Sequence, residues 1–130
     1  MRVLDSDHCV ALLRGQLDLR SQDIVGQVLA VTAIGVGELV HGAFKSAHVE
    51  ENLARLSIFL ADVVILSYDE RAAYEFGRLK ARLERSGQRL SDLDLQIASV
   101  AKVHDAPLVT HNLRHFERVP DLVLEDWLDE

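Results

Sequence analysis

The sequence predicts a layered α/β domain around a mostly parallel sheet. Two observations carry this. Short apolar, β-rich runs alternate with longer stretches of helical period, the pattern of strands joined by helical crossovers. The chain also has 130 residues and 48% apolar content, enough for one domain with a real core and too little for two.

The elements follow in order. Arg2-Val-Leu-Asp5 is short and apolar and predicts a first, buried strand. Residues 8–14 predict a short helix stopped by Gly15. Ser21 can N-cap a segment from Gln22 to Leu29. Leu29-Ala-Val-Thr32 predicts the second strand, and a helix is expected from Glu38 to Lys45. Residues 49–61 predict an amphipathic helix, with Leu53, Leu56 and Leu60 in helical register and Glu51 four before Arg55. Val63-Val-Ile-Leu66 predicts the third strand. A long helix from Asp69 to about Ser86 carries Ala72, Phe76, Leu79 and Leu83 on one face and ends at Gly87. Ser91 caps a helix from Asp92 to about His104. Pro107-Leu-Val-Thr110 predicts the fourth strand, with proline at its start where it is tolerated. A short helical turn near 112–115 and a strand at 122–124 complete the pattern. No internal repeat, low-complexity stretch or interdomain linker interrupts it.

Bulk properties narrow the function classes. A formal charge of −7 and a pI of 5.3 argue against loose, charge-driven binding to nucleic acid or anionic membranes. A metal-loaded acidic pocket would reverse that sign locally, so a nucleic-acid enzyme stays possible. The single cysteine, Cys9, lies in an apolar run and reads as a buried, inert thiol in a reducing cytoplasm. No run approaches the ~20 apolar residues of a membrane span, and Met-Arg-Val-Leu-Asp is not the start of a signal peptide. The expectation is a soluble intracellular protein.

The chemistry-bearing residues sit where strands hand over to helices. In an open parallel sheet those points share one edge, and carboxylates gathered there call for a divalent cation. Asp5 ends the first strand, too close behind it to make a good cap, whereas Asp7 or Ser6 can N-cap the following helix. Glu38 follows the second strand. In Ser91-Asp92-Leu93-Asp94 both acids suit a helix start. Asp94 shares a stripe with Ala98 and Ala101 and so faces the packed side near the sheet edge. Asp92 lies over Gln96 and Ser99, a more polar stripe, and reads as a plain helix-start acid. Asn112, after Thr110, can serve a metal-bound water or cap the next turn. His111 and His115 raise zinc, but hard oxygen donors favour magnesium or manganese. Arg78, Lys80, Arg82, Arg85 and Arg89 form the densest basic stretch, either a nucleic-acid guide or a solvated face salted with Glu75 and Glu84. GxGxxG, P-loop, GxSxG and Cys-x-x-Cys motifs are absent.

Taken together, "VLDSDHCVALLRG" at 3–15, "GELVHGA" at 37–43, "YEFGRLKARLERSG" at 74–87 and "SDLDLQIASVAKVHDAPLVTHNLRHFERVPDLVLEDW" at 91–127 resemble the PIN-domain nucleases, in particular the VapC-type toxins of bacterial toxin–antitoxin pairs. The resemblance covers essentially the whole chain, as a single PIN-like domain over residues 1–130. It implies a three-layer α/β/α sandwich and metal-dependent cleavage of RNA, blocked by a cognate antitoxin, with a homodimer expected. It implies Asp5, Glu38 and Asp94 as the catalytic acids, with Asp5 and Asp94 holding Mg²⁺ or Mn²⁺. Asn112 falls at the fourth position and Asp92 is at best accessory. Two departures stand out. Gly35 and Gly37 precede Glu38 and would loosen its hold, at about 1 kcal/mol each in a helix. Asn112 leaves one charge fewer for a second metal. The alternatives are a non-catalytic binding module on the same fold and a phosphatase built on Asp5-Ser6-Asp7, which would need a lysine such as Lys102. A signalling receiver domain would need an aspartate where Leu66-Ser67 stands.

Overall fold

The structure, a computed structural model, describes residues 1–19 and 26–128. Its elements run β1 (Arg2–Leu4), α1 (Ser6–Leu13), β2 (Leu29–Thr32), α2 (Ala33–Lys45), α3 (Val49–Ala61), β3 (Val64–Leu66), α4 (Glu70–Arg85), α5 (Asp92–Val103), β4 (Leu108–Val109), α6 (Leu113–Phe116) and β5 (Leu124–Glu125). The helix expected after Ser21 falls largely outside the described residues. Its last stretch, residues 26–28, is not helical.

The five strands form one sheet in the order β3-β2-β1-β4-β5, with every pair parallel. Strand alternation builds the layers. Val3, Ala30 and Leu108 face one side, where they join Ala72, Leu79 and Leu83 of α4 and Leu95, Ala98 and Ala101 of α5. The next residue of each strand, Leu4, Val31 and Val109, faces the other side with Cys9 of α1, Leu39 of α2, Leu56 of α3 and Trp127. Two apolar faces explain why the strands read as continuous apolar runs. The result is a three-layer α/β/α sandwich. Strand order reverses about β1: the chain goes out through β2 and β3, then crosses back to β4. The crevice beyond the carboxyl ends of β1 and β4 is therefore the switch point, where such sheets place ligands.

Two helix starts differ from expectation. α2 begins directly after β2, five residues before Glu38. Thr32 is its N-cap, and its hydroxyl accepts from the Gly35 N–H at 2.9 Å. Both glycines are thus helical. Gly35 has a reason to be glycine, since a Cβ there would stand 3.2 Å from Val31 Cγ1. α1 begins at Ser6 with Asp5 itself as N-cap, so the aspartate thought too close to the strand does the capping and Asp7 lies inside the first turn. β2 and α3 have the expected boundaries, and the others differ by at most two residues. Asp69 and Ser91 cap α4 and α5 with their side chains, and Gly87 follows α4 with φ +73°.

Candidate active site

Three elements bring acids to the carboxyl edge of the sheet. Asp5 leaves the end of β1, Glu38 stands on the second turn of α2, and Asp94 on the first turn of α5. Asp5 is 8% exposed and held on both oxygens. Oδ1 accepts the Ser6 N–H at 2.9 Å, and Oδ2 accepts the Thr110 hydroxyl at 2.8 Å. Thr110, at the end of β4, is fully buried, and its Oγ1 in turn accepts the Asn112 N–H at 3.0 Å. The residue after β4 therefore clamps the residue after β1. Burial pushes the Asp5 carboxyl up, and the charges of Asp7 and Asp94 add to the push against the two hydrogen bonds.

Glu38 is raised for the same reasons: burial first, then the charges of Asp5 and Asp94, against a hydrogen bond from Ser6. Its Oε1 is buried and has no hydrogen-bond partner. An orphaned, buried carboxylate oxygen among other carboxylates is costly unless something positive or protic meets it. Asp94 is half-buried, and its Oδ2 lies 3.7 Å from His115 Nδ1. Its backbone N–H donates to Ser91 Oγ at 3.2 Å, so the N-cap of α5 and the site use the same turn. Among the described residues, no three His, Cys, Asp or Glu side chains are drawn close enough to enclose an ion. The acids form an open, oxygen-only set. That suits magnesium or manganese, which keep several waters and need only one or two carboxylates from the protein. Asp5, Glu38 and Asp94 are the residues that could hold such an ion.

The remaining candidates separate from this group. Asp92 points outward to Lys80 Nζ at 2.9 Å. Ser99, expected on a polar stripe with it, is fully buried and donates to the Leu95 carbonyl at 2.6 Å. The Asn112 side chain meets His115 Nδ1 at 2.7 Å, with no side-chain cap on α6. His111 and His115, four apart, do not converge, because His111 Nδ1 turns to Asp126 Oδ2 at 2.9 Å. Lys102 donates to the Pro120 carbonyl at 2.9 Å, so it is not the lysine a phosphatase would need beside Asp5.

Asp7 braces the site from behind. Its Oδ1 takes the His8 Nδ1 proton at 2.7 Å and its Oδ2 the His111 N–H at 3.0 Å. Burial opposes its charge, but these hydrogen bonds outweigh it and hold the carboxyl below the usual range. His8 is fully buried and also accepts the Trp127 N–H. Thr110, Ser6 and the Asp7–His8 pair escape a reading by acid position. The available signal for Thr110 was a hydroxyl residue at a strand's carboxyl end.

A family model described as "PIN domain" matches residues 2–122. The chain is 33% identical over 129 residues to "Ribonuclease VapC2" of Rickettsia felis, covering 96% of each chain. It is 33% identical over 127 residues to "tRNA(fMet)-specific endonuclease VapC" of Salmonella typhimurium, again covering 96% of each. Its fold superimposes on a chain of the crystal structure of DNA-bound VapBC from Salmonella typhimurium with a TM-score of 0.90 and 32% identity, covering 98% of this chain and 100% of that one. With a family model spanning most of its length and relatives aligned nearly end to end, the chain belongs to the PIN domain family, among its VapC members.

Proposed function

We propose that this chain is an endoribonuclease that hydrolyses RNA phosphodiester bonds at the Asp5–Glu38–Asp94 edge with Mg²⁺ or Mn²⁺. In this reading it is the cytoplasmic toxin of a toxin–antitoxin pair, restrained by a cognate antitoxin. The observation that carries the proposal is the buried, unpartnered Oε1 of Glu38, on a carboxyl repelled by two further carboxylates from separate elements.

Asp5 and Asp94 would hold the ion. When bound, it would supply an acidified water and positive charge at the phosphoryl oxygens. Asp5 is pre-set for the task by Ser6 and Thr110, which leave its carboxylate little rotational freedom. Glu38 Oε1 has no protein donor and is free to accept a proton from the attacking water, and the raised affinity of this carboxyl for protons favours that step. Two relatives are named as ribonucleases or RNA endonucleases, which supports RNA as the substrate class. No helix among the described residues is long and apolar enough to cross a membrane.

The test is cleavage of total cellular RNA, tRNA included, by the purified protein with Mg²⁺, with Mn²⁺ and with EDTA. The expected result is cleavage that needs the metal and falls at least about a hundredfold in Asp5→Asn and Asp94→Asn. Cleavage that survives EDTA, or an Asp94→Asn variant as active as the parent, would overturn the reading. A fold that only binds would give no cleavage under any condition.

A further inference from the structure

Of the cations expected to guide RNA along α4, Arg78 and Lys80 are engaged, while Arg82 and Arg85 do not line the cleft that holds Asp94. Arg78 pairs with Glu75 at 2.6 Å and Lys80 with Asp92 at 2.9 Å. Arg2 and Arg55 are likewise paired, with Glu125 and Glu51. Three arginines on the Asp94 side of the molecule differ. Among the described residues, Arg89, Arg114 and Arg118 have no carboxylate within ion-pair distance, and all three are exposed. They line two adjoining clefts that share Arg118. One cleft runs from Arg89 and Arg118 past His115 to Asp94. The other holds Arg114 and Arg118 with Gln88 and Glu117.

We infer that Arg89, Arg114 and Arg118 form a track that binds the phosphates of the RNA backbone and delivers it to Asp94. The inference rests on the ribonuclease reading and gives its site a substrate path. An acid cluster repels phosphate, and the chain as a whole carries −7. Unpaired guanidinium groups beside the cluster offset that repulsion where the substrate must enter. Arg118 is also fixed in place: its Nη1 donates to the Arg89 carbonyl, tying the end of α6 to the loop that leads into α5. That bond uses one of five N–H donors and leaves the others free for phosphate oxygens. Glu117 and Asp94 are the carboxylates lining the two clefts, and Glu84 lies near Arg89 in the neighbouring one. No Phe, Tyr or Trp lines either of the two arginine clefts. The contacts expected along the track are with phosphate oxygens, so it reads charge and not sequence.

The experiment is steady-state cleavage of a labelled RNA that the parent protein cuts, with Mg²⁺ or Mn²⁺ held constant and salt varied between about 50 and 200 mM. Arg89→Ala/Arg114→Ala removes two guanidinium groups and keeps the backbone carbonyl that anchors Arg118. It should raise KM with kcat retained, and flatten the slope of log KM against log salt by about 1.4, since each phosphate contact on a single strand contributes about 0.7. Arg114→Gln alone, at an exposed position, should give about half that change. Two substrates of unrelated sequence should be affected alike, and Arg55→Ala/Arg78→Ala should leave the slope unaltered. If the parent cleaves RNA and neither arginine variant changes KM or the slope, the track is wrong and the ribonuclease reading stands. If the parent cleaves no RNA, both fall together.

Discussion

The backbone N–H of Trp127 donates to Nε2 of His8 over 3.0 Å, across 119 residues of sequence. Because an amide N–H can only donate, Nε2 must accept, and the ring proton lies on Nδ1, where it reaches Asp7 Oδ1 at 2.7 Å. One buried ring thus joins the segment after β5 to the helix that follows the first acid of the site.

Removing that ring should be expensive. His8→Leu leaves the Trp127 N–H and one Asp7 oxygen without partners and should cost about 2–4 kcal/mol in urea unfolding. His8→Gln can still accept from Trp127, and His8→Asn can still donate to Asp7. Each should lose less than His8→Leu. Equal losses for all three would show that the site is held by volume and not by these bonds.

Stability without metal should fall as pH rises through the weakly acid range. Asp5 and Glu38 lie above their ordinary values of 3.8 and 4.5 because of burial and mutual repulsion. The folded state therefore binds protons more tightly than the unfolded chain. That stabilisation is complete below the ordinary values and is lost as pH rises through the folded ones. Asp7 is shifted down, so its contribution is present above 3.8 and disappears only at lower pH. Thermal melts in EDTA should drop as pH rises above the ordinary carboxylate range. Asp5→Asn/Glu38→Gln should flatten that drop and gain roughly 1 kcal/mol at neutral pH after solvent screening, while abolishing cleavage. An unchanged pH profile in the double variant would place the titrating groups elsewhere.

Gly37 should be replaceable. Nothing lies within 4 Å of a Cβ built there, and the residue is helical. Gly37→Ala is expected to stabilise the fold by about 0.5–1 kcal/mol in chemical denaturation. Gly35→Ala gains the same propensity but crowds Val31 and the Thr32 cap, and should stabilise less or destabilise.

Cys9 should be unreactive in the folded protein. It is fully buried. Burial, with the charges of Asp5 and Asp7, pushes its thiol from 9.0 up to about 12. At mildly alkaline pH its thiolate is about a thousandfold scarcer than that of an ordinary cysteine. A thiol reagent should titrate no cysteine in the native protein and one after unfolding, matching the single cysteine of the chain. Rapid labelling of the native state would contradict the packing of α1.

The layers were legible because strand and helix periods in this chain agree with their burial. Period-two alternation was hidden, because neighbours such as Val3 and Leu4 face opposite layers that are equally apolar. The continuous apolar run was itself the mark of a strand buried on both faces. Asp69 and Ser91 announced their helices by residue type. The start of α2 was not legible: two glycines lower its helical propensity, and the Thr32 cap with the Gly35–Val31 approach overrides them. The acids could be found because strand-to-helix handovers share an edge. Their supports could not, since Thr110 lies 105 residues from Asp5 and no local pattern signals such a pair. The basic stretch misled for a related reason. Sequence shows where Arg78 and Lys80 stand along α4, but not that Glu75 and Asp92 occupy them.

The clamp between Asp5 and Thr110 also sets an order of events during synthesis. Asp5 is translated 105 residues before Thr110, the hydroxyl that holds its Oδ2, and 122 before Trp127. A chain that stops before Thr110 lacks the hydroxyl on Asp5 Oδ2 and the Trp127 N–H that meets His8. The first acid of the site therefore gains its fixed geometry only when the segment after β4 has folded against β1.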